Sequence, residues 1–378
     1  MNHSHLTAKK AETTFASIPK IDSSNLRADF DLWPSLAREA WESVQVPQLD
    51  RTYSSIVFVG MGGSGIIGEV ISDLAAEFDS TRIDVLKEYH LPRYLTNDSL
   101  VVCISCSGNT EETLSVLYEA NKQSFDICTF GSGGLIEKFS AGNPRIRFTK
   151  TQMLKVPRSS FPGLFYPVLK FAVQNGFVKV PEQQIIDSLD CLERVRELCL
   201  RPNSKQNRAL DIASRIAFGK TTFPLIYSSR RTRAIGLRFR QSLNENAKMH
   251  GFDGTVPEIC HNDIVGWDKG QTIKPKPNKK IVETDFAPVF LKLEDDPLEM
   301  KTRFQIMEDI LLRAKSAPAF APFLGSTHLC RLLSMLYFLD YGSFYAAILR
   351  RVDPLATPSI DFLKTELKSR LDFVSRII

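Results

Sequence analysis

The sequence lacks any unbroken apolar run approaching the eighteen or so residues that a membrane-spanning helix needs, so no membrane span is expected. Its opening residues, MNHSHLTAKKAETT, carry no apolar core. That excludes a secretory signal and predicts a loose polar tail over 1–28, with His3 and His5 as residues of a disordered terminus rather than a metal site. Charge of one sign is scarce, at a net +5 over 378 residues. The basic, proline-spaced KPKPNKK (Lys274 to Lys280) reads as an exposed, solvated loop. Helix-turn-helix, zinc-finger and aromatic RNA-binding patterns are missing, so nucleic acid is not an expected partner. The seven cysteines read mostly as small buried hydrophobes of a reduced, cytoplasmic protein. The one CxxC, Cys103 to Cys106, starts inside the strand-like SLVVCIS, whereas a thioredoxin-type pair opens a helix.

What is present is an ordinary globular composition, 43% hydrophobic and 24% charged, long enough for a large core and two domains. Residues 29–45 have the period of an amphipathic helix, with Leu32, Leu36, Ala40 and Trp41 on one side. Strand-like runs then alternate with helical ones. The strands are 54–60, RIDVLKE, SLVVCIS, DICTFGS and RIRFTK, and TEETLSVLYEANKQ follows the third as a helix. PGLFYPVLKFAVQNG and the polar PEQQIIDSLDCLERVRELCL read as two further helices, the second a connector. The rhythm restarts with FPLIYSS, RAIGLRFRQSLNENAK, PVFLKLE and PLEMKTRFQIMEDILLRA. A long apolar helix, THLCRLLSMLYFLDYGSFYAAIL, broken near Gly342, and PSIDFLKTELKSRL complete the chain. This alternation predicts an α/β protein with two α-β-α sandwich domains, each built on a mainly parallel sheet. The expected boundaries are a tail at 1–28, a first domain at 29–180, a connecting helix at 181–208 and a second domain at 209–378.

The first strand runs into VFVGMGGSGIIGE, in which Gly60, Gly62 and Gly65 satisfy the G-x-G-x-x-G dinucleotide fingerprint. A nicotinamide site should also carry an acidic residue at the end of the second strand. There DVLKEYH sets Lys87, with Glu88 next, so the pattern is poorly met. The third strand ends in ISCSGNTEET, with Ser105, Ser107 and Thr110 around Gly108, just before a helix. Hydroxyls and free N–H groups at a helix start make a compact anion site that needs no lysine. Capping alone could explain Thr110. It does not explain three hydroxyls and a glycine one βα unit after another glycine turn.

GMGGSG followed by SxSGNTEET resembles the sugar isomerase (SIS) domain. The resemblance implies that Ser64, Ser105, Ser107 and Thr110 hold a sugar phosphate, with Gly63 leaving room for it. Many SIS domains only sense a sugar phosphate, so catalysis needs other residues. Interconverting an aldose and a ketose phosphate requires a base between C2 and C1, a cation for the enediolate and an acid/base pair for ring opening. Glu245, Arg158, His261 and Lys364 supply such groups. Taken singly they are ambiguous. Glu245 with Lys248 is an i,i+3 pair of a solvated face. His261 fits a loop histidine, Arg158 a surface arginine, and Lys364 a charged stripe. His250 is as simple a candidate by chemistry.

In combination, NENAK, HNDIVGW, SxYxAxxxxxDP (Ser343 to Pro354) and the terminal lysine resemble the bifunctional phosphoglucose/phosphomannose isomerases, from about residue 50 to the end. The resemblance implies an enzyme without metal or organic cofactor, acting on glucose 6-phosphate and mannose 6-phosphate. Glu245 would be the base, His261 and Lys364 would assist ring opening, and Arg158 would stabilise the enediolate. Thr357 would sit near C1 and C2, leaving space for the mannose epimer. A homodimer is also implied, with His261 reaching the neighbouring subunit's site. Four rival readings are a glucose-6-phosphate-only isomerase, a non-catalytic SIS sensor, a nucleotide-sugar or aminosugar SIS enzyme and a dehydrogenase. The proline in SSFPGLF and Phe130 in TFGSGGL depart from the expected local pattern.

Overall fold

A computed structural model describes residues 8–78, 81–202, 205–217, 222–268 and 285–371. His3, His5 and the Lys274–Lys280 segment lie outside them. The chain opens with helices α1 (Ala8–Ile21), α2 (Leu26–Asp31) and α3 (Trp33–Ser43). A βα series follows: β1 (Ser55–Val59), α4 (Gly62–Glu77), β2 (Arg82–Leu86), β3 (Ser99–Ile104), α5 (Glu111–Lys122), β4 (Asp126–Gly131), α6 (Gly134–Ala141) and β5 (Ile146–Lys150). Helices α7 (Phe161–Gln174), α8 (Glu182–Cys199) and α9 (Arg208–Ala217) lead to β6 (Thr222–Ser228), α10 (Arg233–Ala247) and β7 (Phe252–Thr255). The remainder is β8 (Asp285–Leu291), α11 (Leu298–Arg313), β9 (Ala319–Phe320), α12 (His328–Arg350) and α13 (Pro358–Leu371).

Two compact units result. The front unit comprises Ser24–Asp190 and the chain from Leu355 onward; the rear unit comprises the chain up to Ser23 and Cys191–Pro354. The front sheet has order β2-β1-β3-β4-β5 with every pair parallel, Val59 standing beside both Leu86 and Cys103. Its central strands β1, β3 and β4 are nearly continuous apolar runs because both faces are covered, while the edge strands β2 and β5 carry charged residues. Val57, Val59, Val101 and Cys103 pack on one face with Leu114, Leu117 and Ile136. The rear sheet has order β7-β6-β8-β9, again all parallel, with Ser228 beside Thr255 and Leu291. Tyr227, Phe290, Phe304 and Met307 form part of its core. The α/β class with two parallel sheets is as the alternation predicted.

Several details differ from expectation. Residues 8–21 are helical, and Phe15 stacks its ring 5.5 Å from that of Tyr345 in the rear unit. Thr14 and Ile18 at i and i+4 are buried, which ties down what polarity alone suggested was a loose tail. The chain from Leu355 joins the front unit although it follows the rear sheet in sequence: Arg158 Nη2 donates to the Leu355 carbonyl at 2.7 Å. Helix α12 is unbroken through Gly342, where a Cβ would lie 3.6 Å from the Ala209 carbonyl oxygen. That is ordinary van der Waals contact, so neither a kink nor a close approach requires glycine there. By length and composition α12 could cross a membrane, but the qualifying window is 94% buried inside the protein. It is a core helix.

Not all the cysteines are free thiols. Cys191 of α8 and Cys330 of α12 form a disulfide with a Cα–Cα distance of 6.1 Å. Their separation of 139 residues hides the pairing from any spacing rule. Pro162 in SSFPGLF falls in the first turn of α7, where a missing N–H costs nothing. Phe130 is fully buried on β4, with its ring 5.4 Å from Phe171.

Candidate functional site

In the front unit, the carboxyl ends of β1 and β3 meet in one cluster. Helix α4 starts at Gly62, because the glycine turn itself forms its first residues. Gly62 takes a positive φ of 50°, and a Cβ there would meet nothing within 4 Å. The turn therefore leaves open space above the helix start. Ser64, next in that turn, is buried and accepts a hydrogen bond from the Cys106 N–H at 2.9 Å. This bond ties the first glycine turn to the serine loop after β3.

Thr110 occupies the N-cap position of α5, yet its hydroxyl makes no capping bond. It lies 2.9 Å from the Ser105 hydroxyl instead. Plain capping therefore fails to account for Thr110, and the first-turn N–H groups of α5 keep their capacity for an outside acceptor. Ser107 is half-buried beside them and accepts from the Asn109 N–H at 3.4 Å.

Gly108 holds this loop in shape. Its φ is +71°, and a Cβ there would collide with the Gly133 carbonyl. Asn109 braces the same contact, accepting from the Leu135 N–H at 3.0 Å and donating to the Ser107 carbonyl at 3.1 Å. The Ile136 N–H donates to the Gly108 carbonyl at 2.9 Å. In the sequence the Gly133–Gly134 pair within TFGSGGL fits the expected pattern, but its contact with Asn109 is not legible there. That contact joins two loops more than twenty residues apart, which no local spacing shows.

Arg158 joins the cluster from a short 3-10 turn, Pro157–Ser160. A Cβ on Gly63 would lie 3.4 Å from the Pro157 carbonyl and 3.5 Å from the Arg158 nitrogen. Gly63 thus brings the glycine turn and the arginine turn into contact. Arg158 is 5% exposed, which rules out the surface-arginine reading. Its bond to the Leu355 carbonyl fixes the segment leading to Thr357, whose own carbonyl receives the N–H groups of Ile360 and Asp361 at the start of α13. Lys364 is exposed on α13, a helix with no buried residue.

The nicotinamide alternative loses its remaining support here. Lys87 follows β2 and forms an ion pair with Glu69 of α4. The position where a ribose-binding carboxylate is expected holds a lysine, and the neighbouring carboxylate is already engaged. The CxxC thiols are buried, which disfavours their thiolates: burial raises the Cys103 thiol strongly and the Cys106 thiol to about 11.

Glu245 and His261 belong to the rear unit. Glu245 is half-buried in the last turn of α10. Lys248, in a left-handed C-cap conformation, turns its Nζ to backbone carbonyls: Glu245 at 2.8 Å, Asn246 at 3.4 Å and Asp353 at 2.5 Å. The lysine serves as a helix C-cap. Below Glu245 lies a buried polar network. Arg238 Nε and Nη2 donate to one Asp340 carboxylate oxygen at 2.9 and 2.7 Å, and the Ser242 hydroxyl donates to the other at 2.7 Å. Asn246 donates to the Ser343 hydroxyl at 2.8 Å, which itself donates to the Asp340 carbonyl at 2.7 Å. Burial is the largest influence on the Asp340 carboxyl and pushes it up; Arg238 and Ser242 oppose this, and the Glu245 charge adds to it. Ser343 had been noticed as part of a motif, but Arg238, Ser242 and Asp340 had not. The signal was available: Arg238, Ser242 and Glu245 recur at i, i+4 and i+7, one helix face. His261 is exposed at the end of a 3-10 turn, Glu258–His261, and the next turn is capped by Asn262, which accepts from Asp263 N–H at 2.7 Å.

Two parallel α/β sheets, with hydroxyls and a buried arginine gathered at the carboxyl edge of the first, define a SIS-type phosphosugar protein. A family model described as "Bacterial phospho-glucose isomerase C-terminal SIS domain" matches residues 205–367. The C-terminal domain of glucosamine-fructose-6-phosphate aminotransferase from Francisella tularensis shares the fold, with a TM-score of 0.63 at 15% identity, covering 87% of this chain and 96% of that one. Among curated proteins, the bifunctional phosphoglucose/phosphomannose isomerase of Aquifex aeolicus is 30% identical over 84% of this chain and 91% of its own. That of Thermoplasma volcanium is 31% identical over 83% and 92%. The chain belongs to the bifunctional phosphoglucose/phosphomannose isomerase family.

Proposed function

We propose that this protein interconverts glucose 6-phosphate and mannose 6-phosphate with fructose 6-phosphate. The observation that carries the reading is the front-unit cluster: paired Ser105 and Thr110 hydroxyls, Ser107, the α5 helix start and buried Arg158 across Gly63. Neutral donors at a helix start suit a terminal phosphate dianion. Glu245 takes the C2 proton, and the released electron pair forms the enediolate, whose negative charge Arg158 stabilises. The C2 hydroxyl gives up its proton as O1 gains one, and returning the first proton to C1 completes the ketose. His261 and Lys364 open and close the sugar ring, and Thr357 lies near C1 and C2. No metal or organic cofactor takes part. Phosphorylated sugars are too charged to cross a bilayer, so the reading includes a cytoplasmic location.

The working unit in this reading is a homodimer in which His261 completes the neighbouring subunit's site. Exposure of His261, and of Phe362 and Leu363 beside Lys364, supports it.

A coupled assay forming fructose 6-phosphate from each aldose tests the activity. Turnover of both, abolished in Glu245→Gln with substrate binding retained, is the expected result. An unchanged rate in Glu245→Gln removes the base assignment. Binding without turnover in the native chain leaves a sensor, and turnover of glucose 6-phosphate alone a single-specificity isomerase. The dimer has its own test. Reassociating equal amounts of Glu245→Gln and His261→Ala should restore about a quarter of native activity, because half the dimers are mixed and each has one intact site. No recovery in the mixed dimers overturns the shared site.

A further inference from the structure

The carboxyl edge of the rear sheet carries an opening that the isomerase reading does not use. Just past β8 and β9, the chain borders a cleft of about 790 Å³, within the usual range for small-molecule sites. Open parallel sheets bind ligands outside the carboxyl ends of their strands. Glu245 lies near the other end of α10, about 18 Å along the helix axis from Arg233 at 1.5 Å per residue. The helix starts past the carboxyl end of β6, so the base stands toward the amino edge, away from this cleft.

The lining has a distinct chemistry. Phe320 and the half-buried Phe323 supply apolar ring surface, backed by the buried Phe304 and Phe338. Lys205, Arg208, Lys292 and Lys301 supply positive charge. Of the two carboxylates, Asp296 is committed, 3.4 Å from Arg231 and accepting the Leu293 N–H at 2.8 Å. Glu294 is the exposed one. Lys292 lies with its Nζ 4.3 Å from the centre of the Phe320 ring, so cation and aromatic face are already side by side.

The front sheet shows what is different here. β3 and β8 occupy the same place, each paired with the first strand of its sheet. β3 ends in hydroxyls, whereas β8 ends in Lys292, Leu293 and Glu294. The uncharged polar side chains lining the rear cleft are Gln206 and Gln305. A sugar placed there would leave most of its hydroxyls against phenyl rings, at the cost of unpaired polar groups. A flat apolar body can instead lie on the rings while its anionic group meets the cations.

We propose that this cleft is a second binding site, for a small anion with a flat apolar body, of the nucleoside monophosphate kind. The test is equilibrium dialysis of the full chain with AMP, with ribose 5-phosphate and adenosine as probes lacking the flat body and the anion respectively. AMP should bind saturably, and each partial probe more weakly by about tenfold or more. Lys292→Glu and Arg208→Glu should each weaken AMP by about fivefold or more, while turnover of glucose 6-phosphate is unchanged. Absence of saturable AMP binding at millimolar concentration overturns the proposal. So does equal affinity for ribose 5-phosphate, displacement of AMP by fructose 6-phosphate, or native AMP affinity in both variants. Turnover is read separately, so failure here leaves the isomerase reading untouched, and the reverse holds.

Discussion

Removing one partner of the Arg238–Asp340 pair should damage the rear unit more than removing both. Asp340 is 1% exposed and Arg238 2% exposed. Asp340→Leu deletes the acceptor of three hydrogen bonds, two from Arg238 and one from Ser242, and removes the carboxylate paired with a buried guanidinium. Stranding one charge of a buried pair costs about 3–5 kcal/mol, whereas replacing both by apolar groups of similar volume is often close to neutral. Arg238→Met should lose a similar amount, and the double variant less than either single one. The assay is urea unfolding of all four proteins, followed by fluorescence. The network also sets the last turn of α10, which carries Glu245 and Asn246. In Asp340→Leu, therefore, kcat should fall by about a hundredfold, the order expected for an ångström-scale misplacement of a catalytic group, with a smaller change in KM. A loss below about 1 kcal/mol for either single variant, or simple additivity in the double, would refute the claim that these groups act as one coupled unit.

Further outcomes follow from the same geometry. Gly108→Ala forces a left-handed backbone on a residue with a Cβ, at about 1–2 kcal/mol, and drives that Cβ into the Gly133 carbonyl. Its KM for sugar phosphates should rise sharply, and a native KM would show that the loop does not hold the phosphate. Reducing the Cys191–Cys330 disulfide releases a closure of 139 residues, worth up to about 5 kcal/mol in the chain-entropy model. Thermal unfolding with and without reductant should show a clear drop in Tm, and coincident melts would contradict it. Burial holds the Cys106 thiol near 11, so at pH 8 only about one molecule in a thousand carries the thiolate. Alkylation of the native protein should label Cys260, which is partly exposed, before Cys103, Cys106 or Cys128; labelling in the opposite order, read by peptide mass, would refute the burial argument.

The central strands of both sheets, β1, β3, β4, β6 and β8, could be read from apolar runs because burial on two faces removes the polar alternation. The missed elements were of another kind. β9 is only two residues long, Ala319–Phe320, and no periodic signal exists at that length. β7, Phe252–Thr255, contains Asp253 and Gly254 and is recruited by pairing with β6 rather than by propensity. α1 reads as a tail because polar residues make up half of it and conceal the few positions it buries. Of the candidate residues, Ser64, Ser105, Ser107, Thr110 and Arg158 fall into one contact-linked cluster within the front unit. Ser64, Ser105, Ser107 and Thr110 were legible because a phosphate loop is local, with its donors a few residues apart. Arg158 was legible as a motif position, but its burial was not.

By itself the amino-acid order determined the periodicities: alternating strands and helices, two glycine turns, and a run of hydroxyls before a helix. These are properties of neighbours, and backbone sterics and capping act over a few residues. Only the tertiary structure decided which distant groups became partners. It joined Cys191 to Cys330, set Arg238 on Asp340, turned Thr110 from a cap into a partner of Ser105, and returned the chain from Leu355 to the front unit. Those pairings depend on burial, and burial depends on the whole fold: a group's neighbours in the core come from chain segments whose separation along the sequence carries no trace of their contact.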